Sequence, residues 1–401
     1  MNEPKSIYAT VECPYCGNSP TNHFLAHANN TVFIAWNKVL EKTFLKDLDG
    51  DTFPKLFDPF FSRLEKSIFS TLCFFKVARF HSNIDGAADL RSRMIWLEAI
   101  KREIPMEQFV ILGKATDWYR AKVQGVWRYF VSIPIPPRFP SEGNFWIDDK
   151  HILKEKLMAG GIPVPRSETA TSEKSALSIF VKWQKPLMVK PRSGSRGRHT
   201  TTYILNREDF LLGFKRAQKL GHFVQVEEHL AGNVCRATIV DGVLRGFLKA
   251  ESPRVIGDGI YTISELIEEK NKNKPDKIGD VIVKVELVEF VRRQGYELSD
   301  ILAKGKTLPL LSRTGRLFGG RTKEMAKEAH PKLKDYLEKA SKIIGTPLVG
   351  FDLIIENPES DPDGARWGII EANSLPFIDL HEFALEGAPA NIASYIWDLW
   401  P

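Results

Sequence analysis

Apolar and polar positions follow two different rhythms along this chain. In Phe60 to Phe80, apolar residues Phe61, Leu64, Ile68, Leu72 and Phe75 recur about every 3.6 residues, while Arg63, Lys66, Lys76 and Arg79 fall mostly elsewhere. That spacing predicts an amphipathic helix whose apolar face must be covered, either by the rest of the protein or by a membrane surface. Ser132 to Pro140 (SIPIPPRFP) carries prolines that lack amide donors, so it reads as a linker. Past about residue 145, β-branched runs and Gly-rich turns replace the Phe/Lys/Arg pattern, and this shift sets the expected boundary.

Beyond the boundary, strands and helices alternate. Asp148 or Asp149 caps a helix with Leu153 and Leu157 on one face, stopped by Gly160-Gly161. A helix follows at Glu173–Trp183, then a strand at Leu187–Lys190, a Gly/Ser/Arg loop, a strand at Thr200–Leu205 and a helix at Glu208–Lys219. Phe223–Glu228, Cys235–Val240 and Val243–Ala250 read as strands, the last two joined by Asp241-Gly242, a dipeptide suited to a type I′ hairpin. Helices at Thr262–Asn271, Lys284–Gln294 and His330–Gly345 precede a final strand pair and a C-terminal helix. The class is α+β, in several lobes.

Composition narrows the setting. At 401 residues the chain holds two to three domains by length, and 43% hydrophobic with 26% charged residues is ordinary for a globular protein. A net charge of +6 is too mild to imply a nucleic-acid partner. The longest apolar stretches, Ser67–Phe75 and Leu348–Ile355, fall far short of the ~20 residues needed to span a bilayer. Met1 to Ala9 shows no secretory pattern, and four cysteines are too few for a disulfide scaffold, so the expected location is cytoplasmic. The division is a 1–145 region of unassigned role, with ten of the 25 phenylalanines between Phe33 and Phe80, and a 146–401 domain.

Four constellations could carry chemistry. Val349–Glu356 and Trp367–Asn373 flank a run of turn formers centred on Asp361/Pro362, which predicts a hairpin with Asp352 opposite Glu371 and Asn373 on the same face. Opposed carboxylates repel unless a proton or cation is shared, and Asp, Glu and Asn oxygens suit Mg²⁺ carrying nucleotide phosphates; the alternative is that one acid points to solvent. Lys190 ends a strand just before Pro191–Arg198, where Ser193, Gly194, Ser195 and Gly197 would let backbone amides approach a phosphate; otherwise this is a flexible basic loop. Arg313 lies in a second Gly/Arg loop, LSRTGRLFGGRT, and Val226–Gly232 is a strand exit whose backbone could pair with an adenine edge. Cys13 and Cys16 with His23 and His27 offer four zinc ligands, although the Cys16–His23 gap is shorter than in ordinary fingers; the alternative is two free thiols. The nine histidines give no Ser/His/Asp arrangement.

The segments DKHILKEKLMAGGIPVP, PLMVKPRSGSRGR, VQVEEHLAGNVCRATIVDGVL, ESPRVIGDGIYTISELIE, LSRTGRLFGGRT, HPKLKDYLEKASKIIG, VGFDLIIE and GIIEANSLPFIDLH run in the order found in the ATP-grasp ligases. From Ile147 to Trp400 the chain most resembles the ATP-grasp part of cyanophycin synthetase and of the bifunctional glutathione-synthesising enzymes. The resemblance implies an ATP-grasp fold, two α+β lobes clasping ATP, beside an extra and largely helical Phe-rich N-terminal region. It implies that Lys150 and Lys190 contact phosphates, that the Ser193–Gly197 loop folds over them, and that Glu227, Glu228, His229 and Leu230 meet the adenine. Asp352, Glu371 and Asn373 would hold Mg²⁺, and Arg313, with Arg236, would stabilise an acyl phosphate. Val234 stands where the family commonly places an acid for the ribose. No Mur-ligase-like domain follows Pro401, so cyanophycin synthesis itself is not expected.

The resulting expectation is an ADP-forming carbon–nitrogen ligase that joins a carboxylate to an amine on an amino acid, peptide or related metabolite, with ATP and Mg²⁺ as cofactors. Nucleic acid is not an expected partner, and a homo-oligomer is compatible with the reading. Two rivals are a nucleotide-binding scaffold of the same fold and a membrane-surface protein acting on an envelope precursor through its Phe-rich helix.

Overall fold

The structure is a computed structural model of the 401-residue chain. It describes residues 11–13, 17–19, 69, 71–139, 145–192 and 197–401, with the backbone alone at 11–13, 17–19, 145 and 148. Strands β1 (Val11–Cys13) and β2 (Gly17–Ser19) pair antiparallel. The helix that contains Phe69 stops after Phe74, where the Lys76 and Val77 amides bond back to Cys73 and Leu72 and Lys76 takes a positive φ of 58°. The helix expected to reach Phe80 therefore gives way to β3 (Ala78–His81), because Ala78 and Phe80 fit a two-residue alternation as well as a helical one.

Helix α1 (Leu90–Lys101) and strands β4 (Met106–Ile111), β5 (Lys114–Val123) and β6 (Val126–Val131) complete a four-stranded antiparallel sheet in the order β3-β4-β5-β6. Among the described residues the N-terminal region is thus a sheet with one long helix, not largely helical; its phenylalanines and tyrosines pack on a pleated surface. Phe69 sits against Phe80, Phe109, Trp118 and Tyr129, with ring centroids 4.5 to 6.3 Å apart, so this part of the Phe-rich face is covered by protein. Residues 33–68 lie outside the described residues.

The first lobe of the remaining chain follows helix α2 (Lys150–Ala159), which is capped by Asp149 and ends at Gly160. Strands β7 (Ser167–Ala170), β8 (Leu187–Pro191), β9 (Thr201–Ile204) and β10 (Val224–Glu228) form a sheet in the order β7-β10-β8-β9. Helices α3 (Glu173–Lys182) and α4 (Arg207–Gln218) cover one face of it, burying Ile179, Phe210 and Phe214 on Val189, Val224 and Val226. Because strand side chains alternate, Lys190, Gln225 and Glu227 are committed to the opposite face.

The second lobe is built on β11 (Asn233–Val240) and β12 (Val243–Ala250), joined by the expected turn with positive φ at both Asp241 and Gly242. A small subdomain of β13 (Arg254–Ile256), α5 (Ile263–Lys272), α6 (Val285–Arg293) and β14 (Thr307–Pro309) has its own apolar cluster. Strand β15 (Thr322–Glu324), helix α7 (Pro331–Ile344) and strands β16 (Leu348–Ile355) and β17 (Gly368–Asn373) complete a five-stranded sheet in the order β15-β12-β11-β16-β17. Helices α2 and α7 bury Leu153, Leu157, Leu333 and Leu337 against one face of this sheet.

The short α8 (Asp379–Glu382) and α9 (Ile392–Trp397) return the chain to the N-terminal region. Ile95, Trp96, Tyr119, Ile133, Val240, Leu348, Ile396 and Trp397 share one core, and the Trp397 indole donates to the Ile95 carbonyl at 3.0 Å. The proline-rich segment is part of that core: Ser132 and Ile133 are buried, and the Trp400 indole donates to the Pro134 carbonyl at 3.0 Å. Where the sequence reads as a linker, residues 132–139 are packed against the protein and close with a turn from Pro136 to Phe139. Prolines dictate an extended backbone without saying what covers it. Among the described residues no helix is long and apolar enough to cross a membrane.

Candidate functional site

The inner face of the first sheet carries an ionic cluster. Lys150 begins α2 and Lys154 follows one turn later, so both project from one side of the helix. Lys154 and Lys190 both bond to a single oxygen of Glu227, the latter with Nζ 2.8 Å from Oε1, and Glu227 is fully buried. Burial opposes ionisation of Glu227, but the two ammonium groups outweigh it and hold the carboxyl below its ordinary range. Lys154 responds the other way: desolvation, reinforced by Lys190 and Lys150 and only partly offset by Glu227, lowers it to about 7.

That shift sets a pH dependence. A lysine titrating near 10.5 in the unfolded chain and about 7 in the fold contributes most favourably above 10.5, loses that contribution as pH falls toward 7, and is flat below. Wild-type stability should therefore rise relative to Lys154→Met between pH 7 and pH 9 by about 2 kcal/mol, the full slope being ~1.4 kcal/mol per pH unit. Denaturant midpoints for both proteins across that interval measure it; parallel curves would contradict the assignment.

Around this cluster the sheet wall is polar and unsatisfied. Thr169, Gln225 and Lys190 stand in one cross-strand row. Both amide atoms of the fully buried Gln225, the Thr169 hydroxyl and Glu227 Oε2 have no hydrogen-bond partner among the described residues. Orphaned polar atoms on an interior wall call for water or a polar ligand. At the mouth of the wall Arg192 binds the Asp149 carboxylate through Nε and Nη2 at 3.0 to 3.2 Å, tying the end of β8 to the cap of α2.

Facing the cluster, the last hairpin pairs Asp352 with Glu371 and Gly350 with Asn373, the register symmetric about Asp361/Pro362 that the turn residues predict. Just past Asp352 a bulge shifts the pairing so that Leu353 meets Ile369. The repulsion between the two acids is relieved by the chain's own cations, a solution the sequence reading did not foresee. Arg236, directly opposite Asp352 on β11, binds both its carboxylate oxygens at 2.7 Å, and Lys150 Nζ lies 3.7 Å from Glu371 Oε2. Burial, with Asp352 adding to it, still raises the Glu371 carboxyl above its ordinary range against the pull of Lys150. The Asn373 amide nitrogen is buried without a hydrogen-bond partner among the described residues. No group of three or more His, Cys, Asp and Glu side chains placed to hold a metal ion occurs among the described residues. Two carboxylates and a side-chain amide are nonetheless the oxygen set that Mg²⁺ takes when phosphates complete its shell, so the residues fit the ion.

The other expected residues are placed as follows. Glu227 turns inward to the lysines. Glu228 accepts from the Arg166 amide and from Arg366, both at 2.9 Å. His229 is edge-on to Tyr203, and burial, with Arg366 adding to it, lowers it to about 4, which keeps it neutral at physiological pH. Leu230 is buried. Arg313 lies 3.0 Å from Glu286 of α6 and beside the Phe318 ring, against the small subdomain. Gly197 has a φ of 64°, whereas Ser193, Gly194 and Ser195 lie outside the described residues. So do Cys16, His23 and His27, and at Cys13 only the backbone is described.

Three features escaped the sequence reading. Lys154 was detectable, since DKHILK places it four residues after Lys150. The clamp of Arg192 on Asp149 was not, because the two are 43 residues apart. Nor was the buried chain in which His381 bonds Thr238 Oγ1 at 2.8 Å and Glu324 Oε2 at 2.6 Å, which ties α8 to β11 and β15.

Two α+β lobes, with Lys190 on one sheet and Lys150 at the start of α2 facing a carboxylate hairpin on the other, define the ATP-grasp fold. Among solved structures, a bifunctional glutathione synthetase from Pasteurella multocida superposes with a TM-score of 0.52 at 22% identity, covering 79% of this chain and 44% of that one. In sequence, cyanophycin synthetase of Trichormus variabilis is 30% identical over 262 residues, 63% of this chain and 29% of that protein. The glutathione biosynthesis bifunctional protein GshAB of Mannheimia succiniciproducens is 25% identical over 311 residues, 75% of this chain and 41% of that protein. The latter match is longer than the 147–400 span and so takes in part of the N-terminal region. The chain thus spans well under half the length of these relatives. No family model matches it.

Proposed function

We propose that this chain is an ATP-dependent carboxylate–amine ligase that forms an amide or peptide bond through an acyl phosphate, releasing ADP and phosphate. The reading rests on one observation above all: Asp352 and Glu371, paired across a hairpin, face Lys150 at the start of α2 and, on the first lobe's sheet, Lys190, two buried lysines with the charge and position to receive phosphates. Similarity to cyanophycin synthetase and GshAB supports it.

A carboxylate is a poor electrophile because resonance and charge repel an amine. Taking up the terminal phosphoryl group of ATP converts it to an acyl phosphate and releases ADP; the neutral amine's lone pair then forms the C–N bond, the C–O bond breaks, and phosphate departs with the electrons and takes up the proton that the nitrogen sheds. Lys150 and Lys190 are assigned to phosphate oxygens and Glu228 to Leu230 to the adenine edge, with the Ser193–Gly197 loop as cover. Mg²⁺, held by Asp352, Glu371 and Asn373, would supply positive charge against the transferring phosphoryl group. Arg236, fixed by Asp352, supplies a charge that needs no reorganisation, and Arg313 is assigned to the same role. Closing the lobes keeps water from the acyl phosphate. Small molecules or peptides are the substrates, with residues 1–145 as the selecting region and 146–401 as the ligase domain.

A screen of amino acids and short peptides for ATP-dependent phosphate release, followed by the mass of the product, tests this. Magnesium-dependent ADP formation matched by an amide is expected. Tight nucleotide binding with no release for any acid–amine pair would instead make the chain a scaffold.

A further inference from the structure

The loop that leaves β17 after Asn373 runs into the seam with the N-terminal region, and its side chains there are incompletely satisfied. Arg91, on the first turn of α1, donates to the Leu375 carbonyl at 2.6 Å and to Asp89 and Ser132, each at 3.1 Å. Its Nε has no partner among the described residues although Arg91 is only 9% exposed. The Phe377 ring centroid lies 5.2 Å from the guanidinium of Arg91 and 5.8 Å from that of Arg236. Two residues on, Asp379 is 8% exposed and its Oδ1 has no partner among the described residues. The seam therefore holds an unused donor and an unused carboxylate acceptor beside the arginine that grips Asp352.

Building on the ligase reading, we propose that this seam is the acceptor subsite: Asp379 binds the incoming amine in its ammonium form, which sheds a proton to water before its lone pair attacks, and Arg91 Nε donates to the carbonyl or carboxylate oxygen next to it. The acceptor class is accordingly an α-amino acid or a peptide N-terminus. A buried carboxylate with a bare oxygen is costly unless a cation completes it, and a buried guanidinium N–H needs an acceptor; one zwitterionic ligand answers both. Burial, with the nearby Asp89 adding to it, raises the Asp379 carboxyl above the ordinary range, and Arg91 and Arg236 lower it only in part. Two of the contributors, Asp89 and Arg91, come from the N-terminal region, which assigns that region a share in choosing the acceptor.

The test uses the full chain with whichever carboxylate substrate the phosphate-release screen identifies, and compares two nucleophiles: an α-amino acid and hydroxylamine, which is neutral near pH 7 and carries no carbonyl. Asp379→Asn should raise the KM for the α-amino acceptor about tenfold more than it changes the KM for hydroxylamine, and Arg91→Lys should act in the same direction. Asp379→Glu should recover part of the loss, which separates recognition from a damaged fold. Equal effects on both nucleophiles in Asp379→Asn and Arg91→Lys would overturn the subsite while leaving the ligase reading intact. A wild-type chain that yields neither amide nor hydroxamate with any carboxylate would overturn both.

Discussion

Glu227→Gln should cost the protein about 3 to 5 kcal/mol and lower its thermal midpoint by roughly 10 °C, because Lys154 and Lys190 would be left buried without their shared carboxylate. In the wild type a single oxygen of Glu227 serves both ammonium groups, and no described contact shows another carboxylate within reach of Lys154. Loss of the acid should drive Lys154, already lowered to about 7, to give up its proton, which limits the penalty without removing it. Lys190 would lose its fixed position on the sheet wall, so turnover should fall with stability. A midpoint within about 2 °C of wild type would show that the cluster is held by something other than Glu227. Differential scanning calorimetry is suited to the measurement, since lobes with separate cores need not unfold in one step.

The second large effect is expected at the hairpin. Asp352→Asn and Glu371→Gln should each abolish measurable turnover, a loss of at least about a thousandfold, with the fold preserved. Their structural consequences differ. Asp352→Asn breaks a bidentate pair with Arg236 and leaves a guanidinium without its partner, so some stability is lost as well. Glu371→Gln removes a carboxylate that burial already raises above its ordinary range, and its stability should change little or even improve. Activity and unfolding midpoints measured on both variants check the pair. Near-normal turnover in either variant would count decisively against a metal-nucleotide role for the hairpin.

Much of this arrangement is legible in the chain because its determinants are local. Asp241-Gly242 dictates its own turn, since both residues adopt positive φ. Asp149, Leu153, Leu157 and Gly160 mark α2 by capping and periodicity, and the turn formers around Asp361/Pro362 place Asp352 opposite Glu371 before any fold is known. Strand alternation commits Lys190 and Glu227 to the face away from the apolar core.

What needed the tertiary structure was every decision between distant segments. The sequence could offer Glu227 to an adenine edge, but only the packing of α2 on the sheet shows its side chain taken by two lysines, one of them 73 residues away. It could show that opposed acids need a counter-charge, but not that Arg236 and Lys150 provide it. Prolines keep 133–136 out of helix and sheet; only the C-terminal segment, more than 250 residues later, makes it core. The 3.6-residue period predicts a helix as far as Phe80, and only the Schellman-type turn at Lys76 shows the chain leaving it for a strand at Ala78. Local propensity fixes where elements begin and end, whereas burial and charge pairing, which decide what each side chain does, depend on partners that the chain brings together only when it folds.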